Sequence, residues 1–133
     1  MKTINVVAAI ILDNDKILAT QRAEGQFKGG WEFPGGKIEK DESCEEALIR
    51  EIKEELNVDI IVKEYLCDIE YDYPNFKLKM KCFISSINKG EIELNEHQAS
   101  KWLARNELDS VNWLQADIIV IEHLKNYLLR KEK

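Results

Sequence analysis

Residues 36 to 58 read Gly-Lys-Ile-Glu-Lys-Asp-Glu-Ser-Cys-Glu-Glu-Ala-Leu-Ile-Arg-Glu-Ile-Lys-Glu-Glu-Leu-Asn-Val. A glycine turn feeds a helix here. Ser43 is a candidate N-cap with Glu46 three residues on, the spacing of a capping box. Ala47, Leu48 and Ile52 form an apolar stripe, and Asn57 tolerates the left-handed conformation that closes a helix. Offsets of three and four residues share a helix face, so Glu51, Glu54 and Glu55 converge. Carboxylates that close repel one another and raise each other's pKa. A hard divalent cation among them, Mg²⁺ or Mn²⁺, relieves that repulsion and prefers oxygen ligands. With open positions left on it, such a cation suits a phosphate substrate. The competing reading is a solvated acidic face with Arg50 and Lys53 as i, i+4 partners.

Two neighbouring features favour the cation. Arg50 lies one residue before Glu51 and four before Glu54, and its planar fork can fix a carboxylate in one orientation. Gly35 and Gly36 let the backbone pass close to the ion, where the Gly35 carbonyl offers a further ligand.

The register of Gly36, Glu42, Arg50, Glu51, Glu54 and Glu55 resembles the Nudix box, the signature of hydrolases that cut nucleoside diphosphates linked to another group. Asn57 stands where the family has its second glycine. The resemblance implies an α/β/α sandwich, an α/β fold with a mixed sheet between helices. It makes Glu51 a metal ligand or general base, working with Arg50 and Glu54. It makes Glu54 and Glu55 metal ligands and gives Glu42 a supporting role. Similarity to MutT-type members extends from Trp31-Glu32-Phe33-Pro34-Gly35-Gly36 to Ala116-Asp117. It implies that Glu96, upstream of Trp102, reaches the metal and that Arg22 contacts phosphate. Asp117 would meet the base edge, although it also reads as a first-turn acid on a helix dipole. Phe33 and Tyr73 are candidates for the base pocket. His97 is expected to be a loop residue.

The implied reaction converts a nucleoside triphosphate and water to monophosphate and pyrophosphate, with 8-oxo-dGTP as first substrate and CTP or a modified dCTP as second. A nucleotide-sensing module would be expected to have lost a carboxylate, and a dinucleotide hydrolase to carry more chain for the second half. RNA decapping would want a basic path.

Bulk properties agree. The chain has 133 residues, 44% hydrophobic and 33% charged, and reads as one domain over residues 1–133. Its net charge of −6 argues against a nucleic acid polymer as partner. Cys44, Cys67 and Cys82 lack metal spacing and read as reduced thiols. The apolar run ending at Leu12 is too short to cross a membrane and has no cleavage site after it. A cytoplasmic monomer or homodimer is expected.

Along the rest of the chain, Ile4 to Leu12 suits a central strand buried on both faces, turning at Asp13-Asn14-Asp15-Lys16 into Ile17 to Gln21. Pro34-Gly35-Gly36 is expected to end the Trp31-Glu32-Phe33 extended piece. Two strands, Ile60 to Tyr71 and Phe76 to Ile87, join through Asp72-Tyr73-Pro74-Asn75. Glu91 to Leu94 reads as a short strand, and Lys101 to Leu103 as extended. A helix over Ala116 to Lys131 turns Ile118, Ile119, Ile121, Leu124 and Leu128 inward.

Overall fold

The computed structural model describes residues 1–132. Seven strands and two helices follow in order: β1 Lys2–Asp13, β2 Lys16–Arg22, β3 Trp31–Glu32, β4 Gly35–Lys37, α1 Cys44–Leu56, β5 Asp59–Tyr73, β6 Phe76–Lys89, β7 His97–Ala104 and α2 Gln115–Lys131. The sheet is mixed. Its path runs β3-β2-β1-β6-β5, with β4 on β1 and β7 on β2. Among the described strands only β1 and β6 run parallel.

β1 is the hinge of this arrangement. Lys2 to Ile11 lie against β6, Val6–Ala8 also hold β4, and Leu12 and Asp13 form a hairpin with β2. Asn14 and Asp15 carry positive φ of 50° and 65°, the backbone a two-residue hairpin turn requires. Because β2 pairs with β1 only at Leu12 and Asp13, the β3-β2-β7 leaf diverges from the β4-β1-β6-β5 leaf.

Alternation along β1 feeds two cores. Val7, Ala9 and Ile11 pack with Ala47, Leu48, Ile52 and Leu56 of α1. Ala8 and Ile10 face the other way, with Cys82, Ile84 and Val120, Ile121, Leu124 and Leu128 of α2. The sheet is therefore covered by one helix on each side, as the resemblance implied. Each fully buried Leu or Ile contributes roughly 1.5–3 kcal/mol relative to exposure.

The ends of α1 follow local chemistry. Ser43 accepts from the Glu46 N–H, and the Glu46 side chain accepts from the Ser43 N–H. Asn57 is left-handed at φ 57° and donates to the Lys53 carbonyl. α2 lacks a side-chain cap at Leu114, and the Tyr73 hydroxyl accepts from the Ala116 N–H instead.

Several expectations need correction. Gly35 and Gly36 do not simply stop a strand; they form one, paired with Val7 and Ala8. A Cβ on Gly35 would stand 1.9 Å from the Val7 carbonyl oxygen, so only glycine admits this approach. Tyr73 ends β5 rather than lying in the turn. Glu91 to Leu94 is not a strand. Its neighbourhood satisfies the orphan carbonyls of α1 through Glu93 N–H to Leu56 and Asn95 N–H to Glu55. Ile118 is 44% exposed, and Val120 fills the inward place. His97 is no loop residue: it opens β7 and is buried. No helix among the described residues is long and apolar enough to cross a membrane.

Candidate active site

α1 carries the acids on the turns that face β4. A Cβ on Gly36 would lie 2.2 Å from a Glu51 carboxylate oxygen, so the glycine backbone forms a cradle for that carboxylate. Arg50 organises the surroundings. Its Nε and Nη2 donate to the two oxygens of Glu42 at 2.7 and 2.9 Å, a bidentate pair. Its Nη1 donates to Glu51 Oε1 at 2.9 Å and more weakly to Glu54 at 3.4 Å. Nη2 also donates to the Lys37 carbonyl at 3.0 Å, which ties α1 to β4. The Arg50 guanidinium beside Glu42 lowers that carboxyl to about 2, and the same contact raises the pKa of Arg50.

Glu55 is the buried acid of the set. Burial pushes its pKa up to about 10, with help from a hydrogen bond with Glu51 and the charges of Glu51, Glu96 and Glu32. Four carboxylates thus feel one another across one small region, and their repulsion favours the protonated form of Glu55. Glu54 points outward, its side chain 54% exposed. Glu96 is exposed in the bend before β7. Among the described residues no three acid, imidazole or thiol groups form a ready-made cage. Hard oxygen donors, mutual repulsion and the glycine cradle nevertheless fit a hard divalent cation.

A cleft of about 580 Å³, counting its open mouth, runs between the two leaves. Arg22, Glu32, Gly35 and Gly36 line its acidic end, and Phe33, Tyr73, Leu114 and Asp117 its apolar end. The apolar end is built by long-range pairing. Trp31 exchanges backbone hydrogen bonds with Asn112 and Leu114, which brings the start of α2 against β3. Asp117 is therefore buried, and its Oδ1 accepts from the Phe33 N–H at 3.0 Å. Burial raises its pKa to about 8 despite that hydrogen bond, with Glu32 adding to the rise. Phe33 stacks on Trp113 at 4.6 Å, and Tyr73 packs against Phe27 at 4.9 Å.

Two residues escaped the sequence reading. Glu32 accepts from Arg22 Nη1 at 3.1 Å and lies 3.0 Å from His97 Nε2. His97 in turn stands 3.7 Å from Glu55. An acid between two aromatic residues, immediately before the glycine turn, was the available signal for Glu32. Nothing local marks His97.

The NUDIX domain model matches residues 1–126. Over 123 residues the chain is 38% identical to the CTP pyrophosphohydrolase of Escherichia coli K12, covering 92% of this chain and 91% of that protein. It is 34% identical over 128 residues to the 8-oxo-dGTP diphosphatase of Haemophilus influenzae, covering 94% of each. The crystal structure of a MutT NUDIX hydrolase from Burkholderia pseudomallei superposes with a TM-score of 0.84 at 26% identity, covering 92% of this chain and 98% of that one. On these matches the chain belongs to the Nudix family and is a Nudix hydrolase.

Proposed function

We infer that the protein hydrolyses nucleoside triphosphates to monophosphate and pyrophosphate, with 8-oxo-dGTP as first substrate. One observation carries this reading: a single cleft runs from Gly36, against which Glu51 of the carboxylate helix packs, to Phe33, Tyr73 and Asp117. Glu51, Glu54, Glu55 and Glu96, with the Gly35 carbonyl, would hold Mg²⁺ or Mn²⁺. When bound, the ion neutralises phosphate oxygens and acidifies the attacking water. Glu51, its Oε1 held by Arg50, which Glu42 anchors in turn, would be the acceptor for the proton of the attacking water. Arg22 binds phosphate, while Phe33 and Tyr73 wall the base.

Asp117 sets the choice of base. With its pKa near 8 it is mostly protonated at neutral pH, and so offers a donor beside an acceptor. Oxidised guanine presents the complement, an N7–H donor beside the O6 acceptor. Unmodified guanine presents two acceptors there. Cytosine shows N3 and N4–H₂, again an acceptor beside a donor. A second reading, CTP or a modified dCTP, is favoured by the likeness to the E. coli CTP pyrophosphohydrolase. The −6 charge suits free nucleotides met one at a time by a single domain, monomeric or homodimeric, rather than a polymer.

The test is a comparison of kcat/KM for 8-oxo-dGTP, dGTP, CTP and dCTP with Mg²⁺. A preference of roughly tenfold or more for 8-oxo-dGTP over dGTP is expected from one mismatched polar contact. Equal efficiency for all four nucleotides would overturn the assignment of Asp117 to base selection.

A further inference from the structure

Glu32 and His97 have no part in the reaction just described, yet they make a buried polar chain behind it. The His97 side chain is 4% exposed, and its Nε2 lies 3.0 Å from Glu32 Oε2. A carboxylate only accepts, so the imidazole is the donor. The other oxygen, Glu32 Oε1, accepts from Arg22 Nη1 at 3.1 Å. Both oxygens of Glu32 are thus committed, one to each neighbour. The backbone is built for this contact. β2 and β7 pair in step until Gln21 and Ala99, and then the register slips so that Arg22 faces His97 instead of Gln98. Such bulges re-aim side chains beside functional sites.

Arg22 shows what the chain is for. Among the described residues its Nε–H is buried without a partner, although the residue lines the cleft and its side chain is 43% exposed. A buried donor left unpaired in a native structure calls for an acceptor. We propose that His97 and Glu32 are positioning residues: His97 locks the Glu32 carboxylate, and Glu32 aims the Arg22 guanidinium into the cleft at a substrate phosphate. This rests on the reading of Arg22 as a phosphate ligand.

The test is a double-mutant cycle of His97→Leu and Arg22→Ala, read as KM and kcat for one nucleoside triphosphate at saturating Mg²⁺. Each single variant raises KM by about tenfold or more, the scale of one hydrogen bond to a charged group, and His97→Leu keeps kcat within about threefold of wild type. The double variant is no worse than Arg22→Ala, because His97 acts through Arg22. His97→Gln, whose amide can still donate to Glu32, recovers most of the KM. A second readout needs no turnover: the Arg22 Nε–H resonance of the metal-free protein, titrated with inorganic pyrophosphate. It shifts in wild type and His97→Gln, and the midpoint weakens about tenfold in His97→Leu. If the two KM effects multiply in the double variant, His97 acts elsewhere and the proposal falls. If Arg22→Ala leaves KM unchanged, it is the phosphate role of Arg22 that fails, and the positioning pair loses its object. Should His97→Leu not fold, Glu32→Gln takes its place in the same cycle with the same expected outcomes.

Discussion

Asp117→Asn separates two consequences of burying an acid at the end of the cleft. In the folded protein the Asp117 pKa is raised to about 8 from the ordinary carboxyl value of 3.8, and burial is the main cause. A raised carboxyl binds its proton more tightly when folded than when unfolded. Its contribution is therefore most favourable below the unfolded value and is lost progressively as pH rises toward 8. Between those limits the slope is about 1.4 kcal/mol per pH unit. Asparagine carries no titrating proton, and every other group is common to both proteins. The difference in unfolding free energy between variant and wild type should therefore grow with pH from about 5 to 7.5, then flatten above 8. Urea unfolding of the metal-free proteins, followed by circular dichroism at half-unit pH steps, measures this directly. Even half the expected slope would support a buried, protonated acid. Parallel stability curves would refute it. Because the asparagine amide keeps both a donor and an acceptor at all pH values, the variant should also lose the alkaline fall in 8-oxo-dGTP efficiency that deprotonation of Asp117 causes.

Three further outcomes follow from the acidic end. Glu51→Gln should leave the circular dichroism spectrum unchanged and lower kcat by about 10²-fold or more, as removal of a proton acceptor does; near-normal turnover at saturating Mg²⁺ would remove Glu51 from the chemistry. Glu54→Gln and Glu55→Gln should act mainly on metal affinity, so that raising Mg²⁺ recovers much of the rate; normal affinity by calorimetric titration, with no recovery, would argue against their being ligands. Gly36→Ala places a methyl group 2.2 Å from the Glu51 carboxylate and should displace it, cutting activity while the melting temperature changes little. Full activity in that variant would mean that the cradle is not needed.

Local chemistry made much of this fold legible. The capping box at Ser43, the left-handed Asn57 and the two-faced burial of β1 all depend on residues near one another in the chain. Helix periodicity also puts Glu51, Glu54 and Glu55 on neighbouring turns of α1, but it does not tell that Glu55 is buried while Glu54 points outward. What escaped depends on contacts between distant segments. β4 contains two glycines and no strand-favouring residue, and it exists because β1 can approach it closely. Glu91 to Leu94 alternates like a strand, but the open carbonyls at the end of α1 claim the backbone around it. His97 meets Glu32 across 65 residues of sequence through a register slip that no local pattern announces. Tyr73 looked like a turn residue beside Pro74, and its hydroxyl instead caps α2 from the end of β5.

The central claim is that the Glu51 face makes this chain a metal-dependent pyrophosphohydrolase of nucleoside triphosphates. The most direct measurement follows the phosphorus-31 spectrum of 8-oxo-dGTP, and separately of CTP, incubated with the purified protein in Mg²⁺ or in EDTA. Monophosphate and pyrophosphate should form together in equal amounts in Mg²⁺, and neither in EDTA. Release of inorganic phosphate with a diphosphate, equal turnover in EDTA, or no turnover of either nucleotide would contradict the claim.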